Sequence, residues 1–269
     1  MLKKSFSLFL LALVCVCTVF SESASLSKLS YEVKFLLDPA KTVNADMSLA
    51  ADVSSLFKVS KTQKRSVVYV ETPDRAFLNT GWINRIREKD GKKNLELTYK
   101  MRYSIQNNDI DGTVSRALRD FSAFSDSRKY EAQIDWGYNQ MTLSFSAEKK
   151  YSKPKGGLKG MSTAAMVDVI KSNMTDEEKT GSGSFLNSPS VTATSCVDYV
   201  QYSGKFNKTE VDIEVWNIGG KPVAELSFKA NSFDSASSMR SELIQLLDSK
   251  GLLLHQDSLK TTLILDTLL

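Results

Sequence analysis

The chain has 269 residues, with 35 Lys and Arg against 31 Asp and Glu for a formal net charge of +4. That balance is too mildly basic for general nucleic-acid binding. The length allows one large domain with a substantial core.

Residues 1–23 read as a signal peptide. Lys3 and Lys4 form a positive start, Ser5 to Phe20 is apolar, and small residues follow at Ser21, Ser23, Ala24 and Ser25. The apolar run is too short and wrongly flanked for a membrane span, so cleavage is expected after Ser23 or Ser25. Val14 before Cys15 is not the small residue of a lipoprotein anchor. Cleavage removes Cys15 and Cys17 and leaves Cys196 alone, so no internal disulfide staples the remainder. No second apolar stretch approaches spanning length. The domain over 24–269 is therefore expected to be exported, secreted or periplasmic. Asn173 and Asn207 open two N-x-S/T triplets, which carry sugar only in a eukaryotic host.

Apolar and alternating runs predict strands over 30–37, 66–71, 82–89, 94–103, 129–135, 140–147, 197–206, 210–217 and 223–230. Val43, Met47, Ala50, Ala51 and Val53 are closer to a helical than an alternating spacing. A short helical turn is expected over 74–78, leading into Gly81. Trp136-Gly137-Tyr138-Asn139 and Gly219-Gly220 read as hairpin connections. The texture changes over 152–195, read as a variable insertion. It holds a turn at 153–157, a helix over 162–173 capped by Ser162 or Thr163, and a Ser/Gly/Thr-rich stretch expected to be a mobile loop. Asp234 is expected to cap a helix over 235–249, with Met239, Leu243, Leu246 and Leu247 buried and Gly251 as its stop. About eight strands with polar alternate faces predict a mainly β, α+β fold: a closed eight-stranded antiparallel barrel with flanking helices. Closure disposes of sheet edges.

The most informative stretch runs from Tyr69 to Lys100. Alternation puts Arg85 and Arg87 on one strand face and Ile86 on the other, and Lys100 joins the pair across a hairpin. Three fixed cations on one sheet face repel each other unless an anion sits among them.

Several motifs stand in order around this stretch: Glu32-Val-Lys34, Tyr69-Val-Glu71-Thr72, Leu78-Asn-Thr-Gly81, Arg85-Ile-Arg87, Leu97-Thr98-Tyr99-Lys100, Glu214, Gly219-Gly220, Glu225-Leu-Ser227, Gly251-Leu252 and Lys260. In this order the chain resembles the CYTH family of triphosphate tunnel metalloenzymes from Glu32 to Lys260. The resemblance implies an eight-stranded tunnel in which basic residues bind a triphosphate chain and carboxylates hold Mg²⁺ or Mn²⁺. Carried over residue by residue, it gives Lys34, Arg85, Arg87 and Lys100 as anion ligands, with Lys205 and Lys229 as additions. It gives Glu32, Glu214 and Glu225 as metal ligands, and Glu32 and Glu225 as the catalytic pair. The implied partner is a phosphate-rich small molecule: triphosphate, polyphosphate or nucleotide.

The departures thin the acidic half. Ser30 and Ser227 stand where the family has a glutamate, and Glu214 stands at an aspartate position. Two functions are therefore carried: a metal-dependent triphosphatase, and an anion-binding tunnel without turnover. A lipocalin-like carrier is the third alternative, and it requires an apolar interior. Plainer readings stand beside these. Arg85 and Arg87 could face solvent on a half-exposed sheet. Glu131 and Asp135 are expected at the surface. Trp82, Trp136 and Trp216 are expected to be packing residues, and Cys196 a buried small residue. His255 has no partner for a zinc site.

Overall fold

The computed structural model describes Leu26, residues 28–258 and residues 260–269. The segment over 1–23 that the sequence reads as a signal peptide lies outside the described residues. No helix among the described residues is long and apolar enough to cross a membrane.

Ten strands form the sheet: β1 (Ser30–Leu37), β2 (Lys61–Glu71), β3 (Trp82–Lys89), β4 (Asn94–Ser104), β5 (Glu131–Trp136), β6 (Met141–Ser152), β7 (Thr192–Ala193), β8 (Val197–Phe206), β9 (Thr209–Ile218) and β10 (Lys221–Ala230). Their order is β3-β4-β6-β5-β1-β10-β9-β8-β2, and pairing of β2 with β3 closes the ring. β7 only flanks β2. The barrel thus has nine strands, not eight. It is not wholly antiparallel, because β1 pairs parallel to β5 with Glu32 opposite Asp135. A closed ring of nine strands cannot alternate direction throughout, so one parallel pair is required. The helix over Ile110–Asp120 returns the chain from β4 so that β5 runs in the same direction as β4.

The barrel is apolar outside and charged inside. On β1, Tyr31, Val33, Phe35 and Leu37 are buried outward while Glu32 and Lys34 point in. Helices cover the outer face. Ala236, Leu243 and Leu247 of the Phe233–Ser249 helix are fully buried in the main core. Phe124 stacks on Phe145 of β6 at 4.4 Å between centroids, with Tyr103, Tyr130 and Phe121 around it. A second, smaller cluster lies inside. Val67, Tyr69, Ile83, Val197, Tyr199, Trp216 and Ile218 of the wall enclose Ile264 and Leu265 of the C-terminal Lys260–Leu268 helix.

Local chemistry fixes the entry to β3. Glu71 is buried, and its carboxylate accepts hydrogen bonds from the backbone N–H groups of Thr72, Phe77 and Leu78 at 2.8–2.9 Å. It thereby satisfies donors at the start of the Ala76–Asn79 turn. Gly81 then sits at φ +90°, and a Cβ there would lie 2.7 Å from the Arg102 carbonyl oxygen. Farther on, Ser232 caps the Phe233–Ser249 helix, not Asp234, which lies in its first turn. Residues 180–195 contain the end of a helix (Asp176–Gly181), a short 3₁₀ turn and β7, not one continuous loop.

Candidate functional site

A cavity of about 410 Å³ runs through the barrel interior, and every one of the nine barrel strands contributes to its wall. Lys34, Arg85, Arg87 and Lys100 all line it, as do Glu32, Glu214, Glu225 and Lys229. Alternation makes this possible. Each strand turns one residue in two inward, so Arg85 and Arg87 enter the tunnel while Ile86 packs outside. Lys205 is exposed and does not line the cavity. Lys229 lies at an exposed edge, 3.7 Å from Glu131. The charged lining removes the lipocalin alternative.

Three charge clusters organise the tunnel. In the first, the Lys34 ammonium bonds Glu32 at 2.8 Å and Asp135 at 2.9 Å, while Lys100 and Arg102 approach the other Asp135 oxygen at 3.4 and 3.8 Å. Asp135 is buried at the centre of these cations, not at the surface as its sequence context suggested. Burial raises its pKa, but Lys100, Lys34 and Arg102 outweigh that and hold it well below the usual carboxylate range. Burial works against the Lys34 ammonium too, yet Asp135, Glu32 and Glu225 keep its pKa above the ordinary lysine value. Lys100 is the exception. Burial, joined by Lys34 and Arg102, prevails over the attraction of Asp135 and lowers it to about 8.

In the second cluster, Arg87 bonds Glu96 at 2.8 Å and Glu148 at 3.3 Å, and Lys89 holds the other Glu96 oxygen at 2.6 Å. In the third, Glu214 and Glu225 stand directly opposite each other on β9 and β10. The Lys260 ammonium lies between them, 2.5 Å from Glu214 Oε2 and 2.7 Å from Glu225 Oε1. Trp216 Nε1 donates to the same Glu214 oxygen at 3.1 Å. Burial raises the Glu214 pKa, but Lys260, Arg65 and the Trp216 hydrogen bond bring it down to about 2. Trp216 is thus part of the site and not only packing: its ring stacks on Tyr199 at 3.7 Å and lies 4.6 Å from the Lys260 ammonium.

Two guanidinium groups stand apart. Arg65 and Arg85 have no ion-pair partner among the described residues, and the only hydrogen bond of the Arg85 side chain goes to Thr98 Oγ1 at 3.1 Å. The Nε–H groups of Arg65, Arg85 and Arg102 are all buried without an acceptor. Sequence reasoning missed Arg65, Arg102 and Asp135. Arg65 lies in the first half of β2, where Lys61-Thr-Gln-Lys-Arg65 shows no apolar alternation. One face of that half-strand meets solvent and the other meets the charged tunnel.

The resemblance implies a divalent ion on Glu32, Glu214 and Glu225. As folded, each of these carboxylates is bonded to a lysine: Glu32 to Lys34, and the other two to Lys260. Among the described residues no group of three or more His, Cys, Asp or Glu is arranged to hold a metal. An ammonium holds one oxygen of each carboxylate, and a donor set already compensated in this way does not fit a resident divalent cation.

No protein-family profile and no curated protein matches the chain. Solved structures do. One is a protein from Hippeastrum, described as a putative adenylyl cyclase with a dominant triphosphatase activity. It superposes with a TM-score of 0.55 at 12% identity, over 87% of this chain and 93% of that one. Another is a putative adenylate cyclase from Bacillus halodurans, with a TM-score of 0.50 at 12% identity, over 82% and 90% of the two chains. The order of motifs, the inward-facing cations and these likenesses agree: the chain has the CYTH, or triphosphate tunnel, fold.

Proposed function

We propose that this protein binds a triphosphate-type anion inside the tunnel, as tripolyphosphate or as the phosphate chain of a nucleotide. The single observation that carries the reading is the set of buried Nε–H groups on Arg65, Arg85 and Arg102 without acceptors. A buried donor left unpaired costs about 1–3 kcal/mol, and phosphate oxygens aligned with a guanidinium fork remove that cost. Lys34 and Lys100 stand beside them, and three cations share the single Asp135 carboxylate. The cavity volume falls in the range of small-molecule sites. In this confined space each phosphate–cation contact is stronger than in water.

Calorimetry with tripolyphosphate tests the reading. Wild type is expected to bind, and Arg65→Ala with Arg85→Ala is expected to weaken binding strongly, since a hydrogen bond to a charged group contributes roughly 1.5–3 kcal/mol. Equal affinity in the double variant defeats the proposal.

Hydrolysis of the same anion is the second reading. It draws on the fold shared with the Hippeastrum protein and its described triphosphatase activity. In it, Glu32 and Glu225 position the attacking water. Those carboxylates are engaged by lysines, so turnover is expected to be slow. Phosphate release from tripolyphosphate and ATP, measured with Mg²⁺, with Mn²⁺ and with EDTA, decides it. The signal-like segment over 1–23 supports export as part of the same proposal; N-terminal sequencing of the mature protein tests it.

A further inference from the structure

The side chains of the carboxylate pair Glu214–Glu225 project into the tunnel from directly opposed positions on β9 and β10, the placement in which one divalent cation would bridge them. Like charges placed opposite each other destabilise a sheet unless a cation lies between them. Here the cation belongs to the chain. The Lys260 ammonium contacts one oxygen of each carboxylate, at 2.5 and 2.7 Å. We propose that Lys260 is a built-in counter-cation standing where a divalent ion would otherwise bridge the pair, so that the tunnel takes its anion without a metal.

Three observations hold the lysine in that place. It opens the Lys260–Leu268 helix, whose Ile264 and Leu265 are buried in the apolar cluster inside the barrel. Arg75, within the β2–β3 connection, forms an ion pair with Asp266 of the same helix. Within the tunnel the ammonium sits over the Trp216 ring, Trp216 stacks on Tyr199, and the Arg65 guanidinium lies over the Tyr199 ring, 6.0 Å from its centroid. A cation, two rings and a second cation form a continuous stack, with each cation against the negative face of a ring.

The surroundings oppose a second positive ion. Arg65 acts on Glu214 and Lys34 interacts with Glu225. A divalent ion entering here meets three cations around two carboxylates, and the neighbouring inward position on β10 is a serine, Ser227. Hard divalent ions require a shell of oxygen ligands, whereas Glu214 Oε2 already accepts from Lys260 and Trp216 and Glu225 Oε1 is held by Lys260.

Only the metal-free binding of the anion rests on the function proposed above. The role of Lys260 toward the carboxylates is tested separately with Mn²⁺ alone. The free-ion electron paramagnetic resonance signal is titrated against wild type, Lys260→Met and Lys260→Gln. Wild type is expected to leave the signal unchanged. A folded Lys260 variant is expected to bind Mn²⁺ and diminish the signal, and adding Glu225→Gln to it is expected to restore the signal. Wild type that binds Mn²⁺ through Glu225 overturns the proposal, and so does a folded variant that gains no Mn²⁺. The wild-type arm decides even where neither variant folds. In parallel, tripolyphosphate affinity of wild type is expected to be equal in Mg²⁺ and in EDTA. A strict requirement for Mg²⁺ overturns the metal-free claim. Absence of anion binding in both buffers defeats the anion-binding reading instead, and leaves the Mn²⁺ result to judge Lys260.

Discussion

Arg85 and Arg87 look equivalent in the sequence, two residues apart on one strand face, but their surroundings separate them. Arg87 is bonded to Glu96 and Glu148, while Arg85 faces the cavity with a threonine as its only hydrogen-bond partner among the described residues. Arg87→Ala is therefore expected to cost less tripolyphosphate affinity than Arg85→Ala, because Arg87 is already compensated within the chain. Calorimetry on the two single variants ranks them, and the reverse order removes Arg85 from the anion site. Lys100 adds a pH dependence. Its folded-state pKa is lowered by burial to about 8 from the ordinary 10.5. Affinity for tripolyphosphate is expected to fall as pH rises from 7 to 9, as the ammonium is lost. Binding near pH 8 is expected to take up a proton, since the anion favours the charged form. Buffers of different ionisation enthalpy reveal that uptake, and Lys100→Met abolishes it. The sign for stability is opposite. The folded state holds fewer protons than the unfolded chain between pH 8 and 10.5, so this group contributes rising stability with pH across that window.

At the level of elements, β1, β3 and β8 have the limits that their sequence patterns indicate, over Ser30–Leu37, Trp82–Lys89 and Val197–Phe206. Their legibility has a physical origin: each has one face against apolar packing, the outer core for β1 and β3 and the interior plug for the start of β8, so apolar and polar residues alternate. Where the outer face is wet, as in the first half of β2, the pattern vanishes and Arg65 with it. Alternation also says that Glu131 and Asp135 share a face without saying which side of a closed barrel that face meets. The Ile110–Asp120 and Lys260–Leu268 helices carry short apolar stripes among polar residues, and that concealed both. Lys260 was legible as the end of a motif series; its seat between two glutamates depends on a helix entering the barrel. The turn before β3 offers a test of local geometry. Gly81→Ala places a Cβ near the Arg102 carbonyl at a backbone angle unfavourable to it. Thermal denaturation is expected to show a loss of at least about 1 kcal/mol; an unchanged melting temperature means the loop relaxes freely.

The whole molecule reverses the usual disposition of a small barrel. Its main apolar core lies outside the strands, beneath the helices, and its interior carries opposed charges together with one apolar plug. Eight inward-facing Lys and Arg line the cavity, and many of them are bound to carboxylates. A polar interior of this kind is held by the outer packing and not by itself, which separates the residues that bind from the residues that fold the chain. The parallel β1–β5 pair has a further consequence, for how the barrel comes into being. β1, the first strand among the described residues, is sealed between β5 and β10, with Tyr31 opposite Ala230. No ring can close until residue 230 is available, and that last ladder joins segments far apart in sequence, so closure is a slow, late event with a large loop-entropy cost. A chain ending before β10 keeps unpaired edges on both β1 and β9. Such a fragment is expected to aggregate or to be captured by chaperones, whereas the full chain refolds in a slow final phase in which tripolyphosphate binding appears together with burial of Trp216. Binding that precedes this burial in stopped-flow fluorescence would show that the tunnel is assembled before the ring is shut.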